Sequence, residues 1–300
     1  MRKTLVIVSA AALLAAITAA PAGAVISQTA DIKVSPATGT GTAKGKNYVK
    51  LQAYLATRDA ASVRPQAKAN PVGKVVMSFP VGSTINPGAT PGCNMSEYSA
   101  PSMLVTACAG SVIGTGWALL NTGSVTPSAR DQLTGSPSPC NVGDTSQYSR
   151  LYRNVALGCV PVGHIWVKIT AYQGAILKSQ SWKTTPGAVF NKFSKSGIIF
   201  ANSNGLAPLA FGGNIKGNEL TVYIPALNGN GAGAGELIGG WVLSDFYLNI
   251  TKANYLKAGA CPGSHRWNVS TKTTYSQLKG EASPPNPGSI TVGSQSVCKA

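Results

Sequence analysis

The chain has 300 residues and a net charge of +16, from 25 Lys and Arg against 9 Asp and Glu, yet only 11% of its residues are charged. Its polarity therefore rests on Ser, Thr, Asn, Gln and Gly, and 34 glycines and 19 prolines interrupt it too often for long helices. With 2 histidines and 9 acidic side chains in all, few groups are available for acid–base chemistry.

In chain order, Met1-Arg2-Lys3 opens with positive charge, and an apolar run from Thr4 to Ala20 leads to Ala22-Gly23-Ala24. This is the pattern of a signal peptide with an A-x-A cleavage site, so residues 1–24 are expected to be removed and the mature chain to start at Val25. No cysteine follows closely enough to suggest lipidation, and no apolar tail closes the chain, so a secreted, extracellular product is expected. The stretch Ser99 to Ala129 lacks Lys, Arg, Asp and Glu, but its Ser, Thr, Pro, Gly and Asn are too polar for a membrane span.

Alternating apolar and polar residues predict strands at Thr29–Ser35 and Asn47–Leu55. Arg58–Gly73 has no period and reads as a surface excursion before a third strand, Lys74–Pro80. Further strands are expected at Met103–Thr106, Trp117–Leu120, Ile165–Tyr172 and Ala175–Trp182, the last two joined by a hairpin at Gln173-Gly174. The second half adds Gly197–Ala201, Glu219–Ile224, Trp241–Leu248, His265–Tyr275 and Ser289–Cys298, with a turn at Gly217-Asn218 and loops at Asn228–Gly235 and Ser283–Ser289. So many short strands define an all-β protein, expected to be a two-sheet sandwich or jelly roll with long loops. Residues 25–300 are taken as a single β-sandwich-like domain, the alternative being two small sandwiches.

The 6 cysteines, Cys93, Cys108, Cys140, Cys159, Cys261 and Cys298, all follow the expected cleavage site, which indicates disulfide staples. Sequence leaves the connectivity open; consecutive pairing, Cys93 with Cys108, Cys140 with Cys159 and Cys261 with Cys298, is the simplest expectation. No C-x-x-C occurs and the histidines are only His164 and His265, so no metal site is expected.

No serine lies in G-x-S-x-G and neither histidine opens H-E-x-x-H, so no catalytic residue is assigned and no cofactor is expected. Gly114-Thr115-Gly116 lacks the third glycine of a dinucleotide fingerprint and reads as a tight turn leading into Trp117. Asp245 interrupts an apolar strand, and alternation is expected to turn it to solvent. Trp166, Tyr172, Trp182 and Trp241 lie in or beside strands and form a candidate stacking platform for sugars, against the commoner fate of core packing.

The order Cys93…Cys108, Ile113-Gly114-Thr115-Gly116, Ile169-Thr170-Ala171-Tyr172-Gln173-Gly174, Asn218-Glu219-Leu220-Thr221-Val222-Tyr223-Ile224-Pro225, then Cys261-Pro262 before Trp267 and Cys298, resembles a group of exported actinobacterial β-rich proteins of unassigned function. The resemblance spans most of the mature chain and implies a secreted β-rich protein, with no catalytic residues to carry over. The expected function is that of a non-enzymatic extracellular protein, a structural component of the cell envelope or a binder of its anionic polymers or polysaccharide, drawn by the basic surface. The alternative is a secreted hydrolase of polysaccharide or ester, working through scattered carboxylates or a nonlocal triad, for which turnover lost on mutating Asp245 or His265 would be the sign. Nucleic acid is not expected as a partner, since export removes the chain from it and no recognition motif is present.

Overall fold

The computed structural model describes residues 26–59, 71–95, 101–121, 133–134, 160–161, 164–176, 197–202, 210–224, 241–276 and 287–300. The expected signal peptide, Cys140, Cys159, Trp182, the loop at Asn228–Gly235 and the Ser283–Asn286 part of the last loop lie outside them.

The described elements are almost all strands. They are β1 (Ile26–Pro36), β2 (Ala43–Lys44), β3 (Tyr48–Asp59), β4 (Val72–Ser78), β5 (Thr84–Ile85), β6 (Cys93–Met95), a helix α1 (Pro101–Ala107), β7 (Val112–Asn121), β8 (Leu133–Thr134) and β9 (Val160–Pro161). There follow β10 (His164–Ile176), β11 (Ile198–Asn202), β12 (Ala210–Lys216), β13 (Glu219–Tyr223), β14 (Val242–Ile250), β15 (Leu256–Lys257), β16 (Arg266–Tyr275) and β17 (Ser289–Lys299). Period-2 patterning produces these strands where one face meets the core. In β16, Trp267, Val269, Thr271, Thr273 and Tyr275 are buried, while Arg266, Asn268 and Lys272 are exposed.

Hydrogen bonds join the strands in the order β2-β17-β16-β4-β13-β12-β11-β10-β7-β14-β3-β15-β5, with β1 added along β3 and β6 along β10; β8 and β9 pair separately. The all-β, disulfide-stapled architecture expected from sequence is present, its long strands joined in one hydrogen-bonded order. β1 is antiparallel to β3 from Ile26↔Asp59 to Pro36↔Val49. Its other edge lies against β17, through side chains. Ile32 N donates to Ser294 Oγ (3.0 Å) and Val34 N to Ser296 Oγ (3.0 Å), while those hydroxyls donate back to Ile32 O at 3.2 and 3.1 Å. Gln28 Nε2 extends the seam by donating to Thr273 Oγ1. Inside, the largest fully buried side chains are Trp267, Tyr172, Tyr255 and Phe200.

Several local expectations are corrected. Met103–Thr106 lies in helix α1, not in a strand. Pro101 suits a first helical turn, and Leu104 and Cys108, four residues apart, face the core while Val105 and Thr106 are exposed. Gly114 and Gly116 are interior to β7, where no turn occurs: a Cβ on Gly116 would sit 1.9 Å from Tyr247 O, and one on Gly114 2.3 Å from Asn249 O. The hairpin at Gln173-Gly174 is likewise absent, because β10 continues to Ile176 and Gly174 pairs with Cys93, whose carbonyl a Cβ would meet at 1.6 Å. All three glycines permit close backbone approach by a neighbouring strand. The turn at Gly217-Asn218 does form; Gly217 takes φ +60° between Lys216 and its partner Glu219, which favours glycine.

Candidate functional site

Two regions gather the polar and aromatic groups of interest. The first lies on the face of β3, β14, β7 and β10 that turns away from the main core. Tyr54, Tyr247, Trp117 and Lys168 stand in register across the four strands. The Tyr54 and Trp117 rings are 5.9 Å apart, and Trp117 stacks on Tyr247 at 5.8 Å. One step along, Ala56, Asp245, Leu119 and Trp166 form the next row. These side chains make a second hydrophobic cluster built on Tyr54, Ala56, Trp117 and Leu119, with Trp166 and Tyr247 packed against it.

Asp245 belongs to this cluster and is 0% exposed, which corrects its expected place in solvent. Alternation does turn it away from the main core, but the face it enters is apolar and covered. Two residues from Tyr247, Asp245 shares that face by alternation, and the bulge between Leu243 and Asp245 shifts the register against β7 before it. The carboxylate is satisfied locally: Tyr54 OH donates to Oδ1 at 2.5 Å, and Ser244 Oγ lies 2.9 Å from Oδ2 and 3.2 Å from Leu119 O. A carboxylate so enclosed is held as a structural acceptor and is closed to a polymeric substrate.

Of the four candidate platform residues three are described, and those three do not share one surface. Trp166 is half-buried in the aromatic cluster just described, and Trp241 is half-buried against the main core. Tyr172 is only 2% exposed; its ring fills the core, and burial raises its hydroxyl pKa, so it cannot present a stacking face. Trp182 lies outside the described residues. His265 is exposed on the turn after Pro262, at φ 54°, with its N–H bonded to Pro262 O and its carbonyl to Cys298 N. Among the described residues no three His, Cys, Asp or Glu side chains are grouped as metal ligands.

The second region is a cleft of about 760 Å³ at the Cys261–Cys298 end of the sheet. Its floor is the outward face of β16 and β17, with Arg266, Asn268, Ser270 and Gln295; its walls include Phe79, Pro80 and Val81 after β4, Asn218 of the β12–β13 turn, and Pro262. The walls are tied in place. Asn218 Nδ2 donates to Phe79 O (2.7 Å), Trp267 Nε1 to Ala260 O (3.1 Å), and Gln295 Nε2 to Asn268 Oδ1 (3.0 Å). The disulfide holds the Cys261 loop to the end of β17, its Cα atoms 5.7 Å apart.

Arg266 is exposed and is the one charged side chain among the described residues lining the cleft. Among the described residues no carboxylate is found paired with it. The cleft thus offers a planar guanidinium, amides and hydroxyls above a partly apolar wall, in a volume within the ~300–1,000 Å³ of small-molecule sites. Sequence reasoning passed over it because a lone arginine in a strand carries no signature, and its partners come from four separate segments.

Cys93 and Cys108 form the other observed disulfide, with Cα atoms 5.5 Å apart. These two bridges point to an oxidising compartment outside the cytosol, and no helix among the described residues is long and apolar enough to cross a membrane. No family model matches the chain, and neither the curated proteins nor the solved structures contain a significant match.

Proposed function

We propose that this is an exported, non-enzymatic protein that binds an anionic, hydroxyl-rich polymer of the cell envelope, such as a phosphate-containing wall polymer or an acidic polysaccharide. The observation that carries the proposal is Arg266 in a cleft with no carboxylate among its described lining residues, set on a chain of net charge +16. The wider positive field draws an anionic polymer to the surface, and the cleft seats one acidic unit of it. The resemblance to exported actinobacterial proteins and the signal-peptide pattern support the same location.

Co-sedimentation of the chain from Val25 to Ala300 with isolated bacterial cell walls, at low and high salt, tests this. Binding is expected at low salt and loss of it at high salt, as screening weakens exposed charge contacts. Arg266→Ala is expected to lower affinity about tenfold at low salt, the loss of one charge-assisted contact. Salt-resistant binding would show that exposed charge contacts do not carry the interaction and would overturn the role given to Arg266. Absence of binding at either salt overturns the proposal.

A further inference from the structure

Positive charge continues past the Arg266 cleft along the neighbouring strands. On β17 the exposed side runs through Gln295, Val297 and Lys299. Arg266 pairs with Val297 across β16 and β17, so Lys299 stands two residues further along the same outward face. Beyond it β2 runs parallel to β17 with Lys44 in register with Lys299, both exposed. The turn from Lys44 to Lys46 is fixed there: Gly45 N donates to Lys299 O (2.9 Å) and Lys46 N to Gly259 O (3.1 Å), and a Cβ on Gly45 would stand 2.5 Å from Cys261 N. Gly259 and Cys261 alternate with Ala260 and Pro262, which line the cleft. One loop therefore touches both the cleft and the lysine turn.

Two features of this turn work against stability. Lys44 and Lys299 set like charges side by side across the β2–β17 pair. Lys46 takes φ 61°, a backbone conformation that glycine adopts freely and a lysine does not. Residues 43–47, 258–267 and 296–300 contain Lys44, Lys46, Arg266 and Lys299 but no Asp or Glu, and Ala300 sets at most one terminal carboxylate against them. None of the three lysines, all exposed, is in an ion pair among the described residues. A concentration of one sign of charge in a fixed backbone frame is relieved by a bound anion.

We propose that Lys44, Lys46 and Lys299 form a second anion site, continuous with Arg266, and that the two together take successive charged units of one polyanion. The inference rests on the reading of the Arg266 cleft and narrows it: the ligand is a chain with an anionic group on each repeat, and one acidic unit alone is held weakly. Linear polyphosphate is the probe.

The experiment titrates the folded chain from Val25 to Ala300 with orthophosphate, tripolyphosphate and long-chain polyphosphate at several salt concentrations. Affinity is expected to rise about a hundredfold from orthophosphate to the long chain, as linked contacts act together. In the triple variant Lys44→Ala, Lys46→Gly, Lys299→Ala, long-chain affinity is expected to fall about thirtyfold at low salt, and the slope of log affinity against log salt to flatten by about 2. Lys46→Gly alone should lower that affinity about threefold while its urea midpoint holds or rises, a split that a merely structural lysine does not produce. Long-chain affinity lost in Arg266→Ala but unchanged in the triple variant overturns the second site and leaves the cleft standing. The reverse pattern keeps the lysine site and overturns the role given to the cleft. Affinity of the parent chain that does not rise from orthophosphate to long-chain polyphosphate overturns the proposal whether or not the triple variant folds.

Discussion

Tyr54 shows what a single hydroxyl does in this molecule. Its O–H donates, as the Ser244 hydroxyl does, to a fully buried carboxylate, so Tyr54→Phe removes the bond but keeps the ring against Trp117. A loss of about 2 kcal/mol in unfolding free energy is expected, the worth of a buried hydrogen bond to an acidic group, measured by urea denaturation. A change below about 0.5 kcal/mol would mean that Asp245 is served by other donors. Tyr275 acts through its proton. Burial pushes its hydroxyl from an ordinary value of 10.0 up to about 12, with the neighbouring Thr57 side chain acting in the opposite direction. Below pH 10 both native and unfolded chains keep this proton. Between pH 10 and about 12 the unfolded chain releases it and the native chain does not, so stability falls as pH rises through that window. Burial raises Tyr172 and Tyr255 in the same direction. Urea midpoints at about pH 9 and about pH 11 should therefore diverge, and Tyr275→Phe should narrow the difference without abolishing it.

Among elements, the β1–β17 contact is the distinctive one, because serine side chains take the place of a backbone ladder. Residue numbers rise together along it, Ile32 with Ser294 and Val34 with Ser296, so the two strands run parallel. The serine hydroxyls reach across a gap between β1 and β17 that no described main-chain pair closes. Replacing both serines by alanine should cost about 1 kcal/mol for each, and should speed hydrogen exchange at the Ile32 and Val34 amides. The Ala53 amide, on a strand paired along both edges by β1 and β14, should keep its protection. Equal acceleration at all three would show that the seam opens only with the whole fold.

For the molecule as a whole, the two observed disulfides hold different parts of the sheet. One ties β6 to the residue after α1, and the other ties the Cys261 loop to β17 beside the Arg266 cleft. The Cys261–Cys298 bridge spans 37 residues, and restricting that loop in the unfolded chain is worth about 4 kcal/mol. A Cys261→Ser, Cys298→Ser double variant should lose that amount in urea unfolding. It should also bind cell walls less tightly than the parent at low salt, since Pro262 and Arg266 flank the bridge. Wall binding equal to the parent in a folded double variant would show that the cleft needs no staple.

Local patterning determined much of this protein. The strands at β3, β4 and β16 were legible because each presents one face to the core, and the Gly217 turn because φ +60° selects glycine. The bridges Cys93–Cys108 and Cys261–Cys298 agree with consecutive pairing, which the sequence left as the simplest of many possible connectivities. Alternation reports which side of its own strand a residue occupies, and nothing about what lies beyond that side. So Asp245, Tyr54, Trp117 and Tyr247 became a buried cluster only when β3, β14 and β7 were laid side by side. Gly116 and Gly174 looked like turns because the carbonyls they accommodate belong to strands distant in the chain. Tertiary structure alone decided the order of the strands, the seam of serines and the cleft around Arg266, since each depends on long-range pairing that no short stretch of sequence encodes.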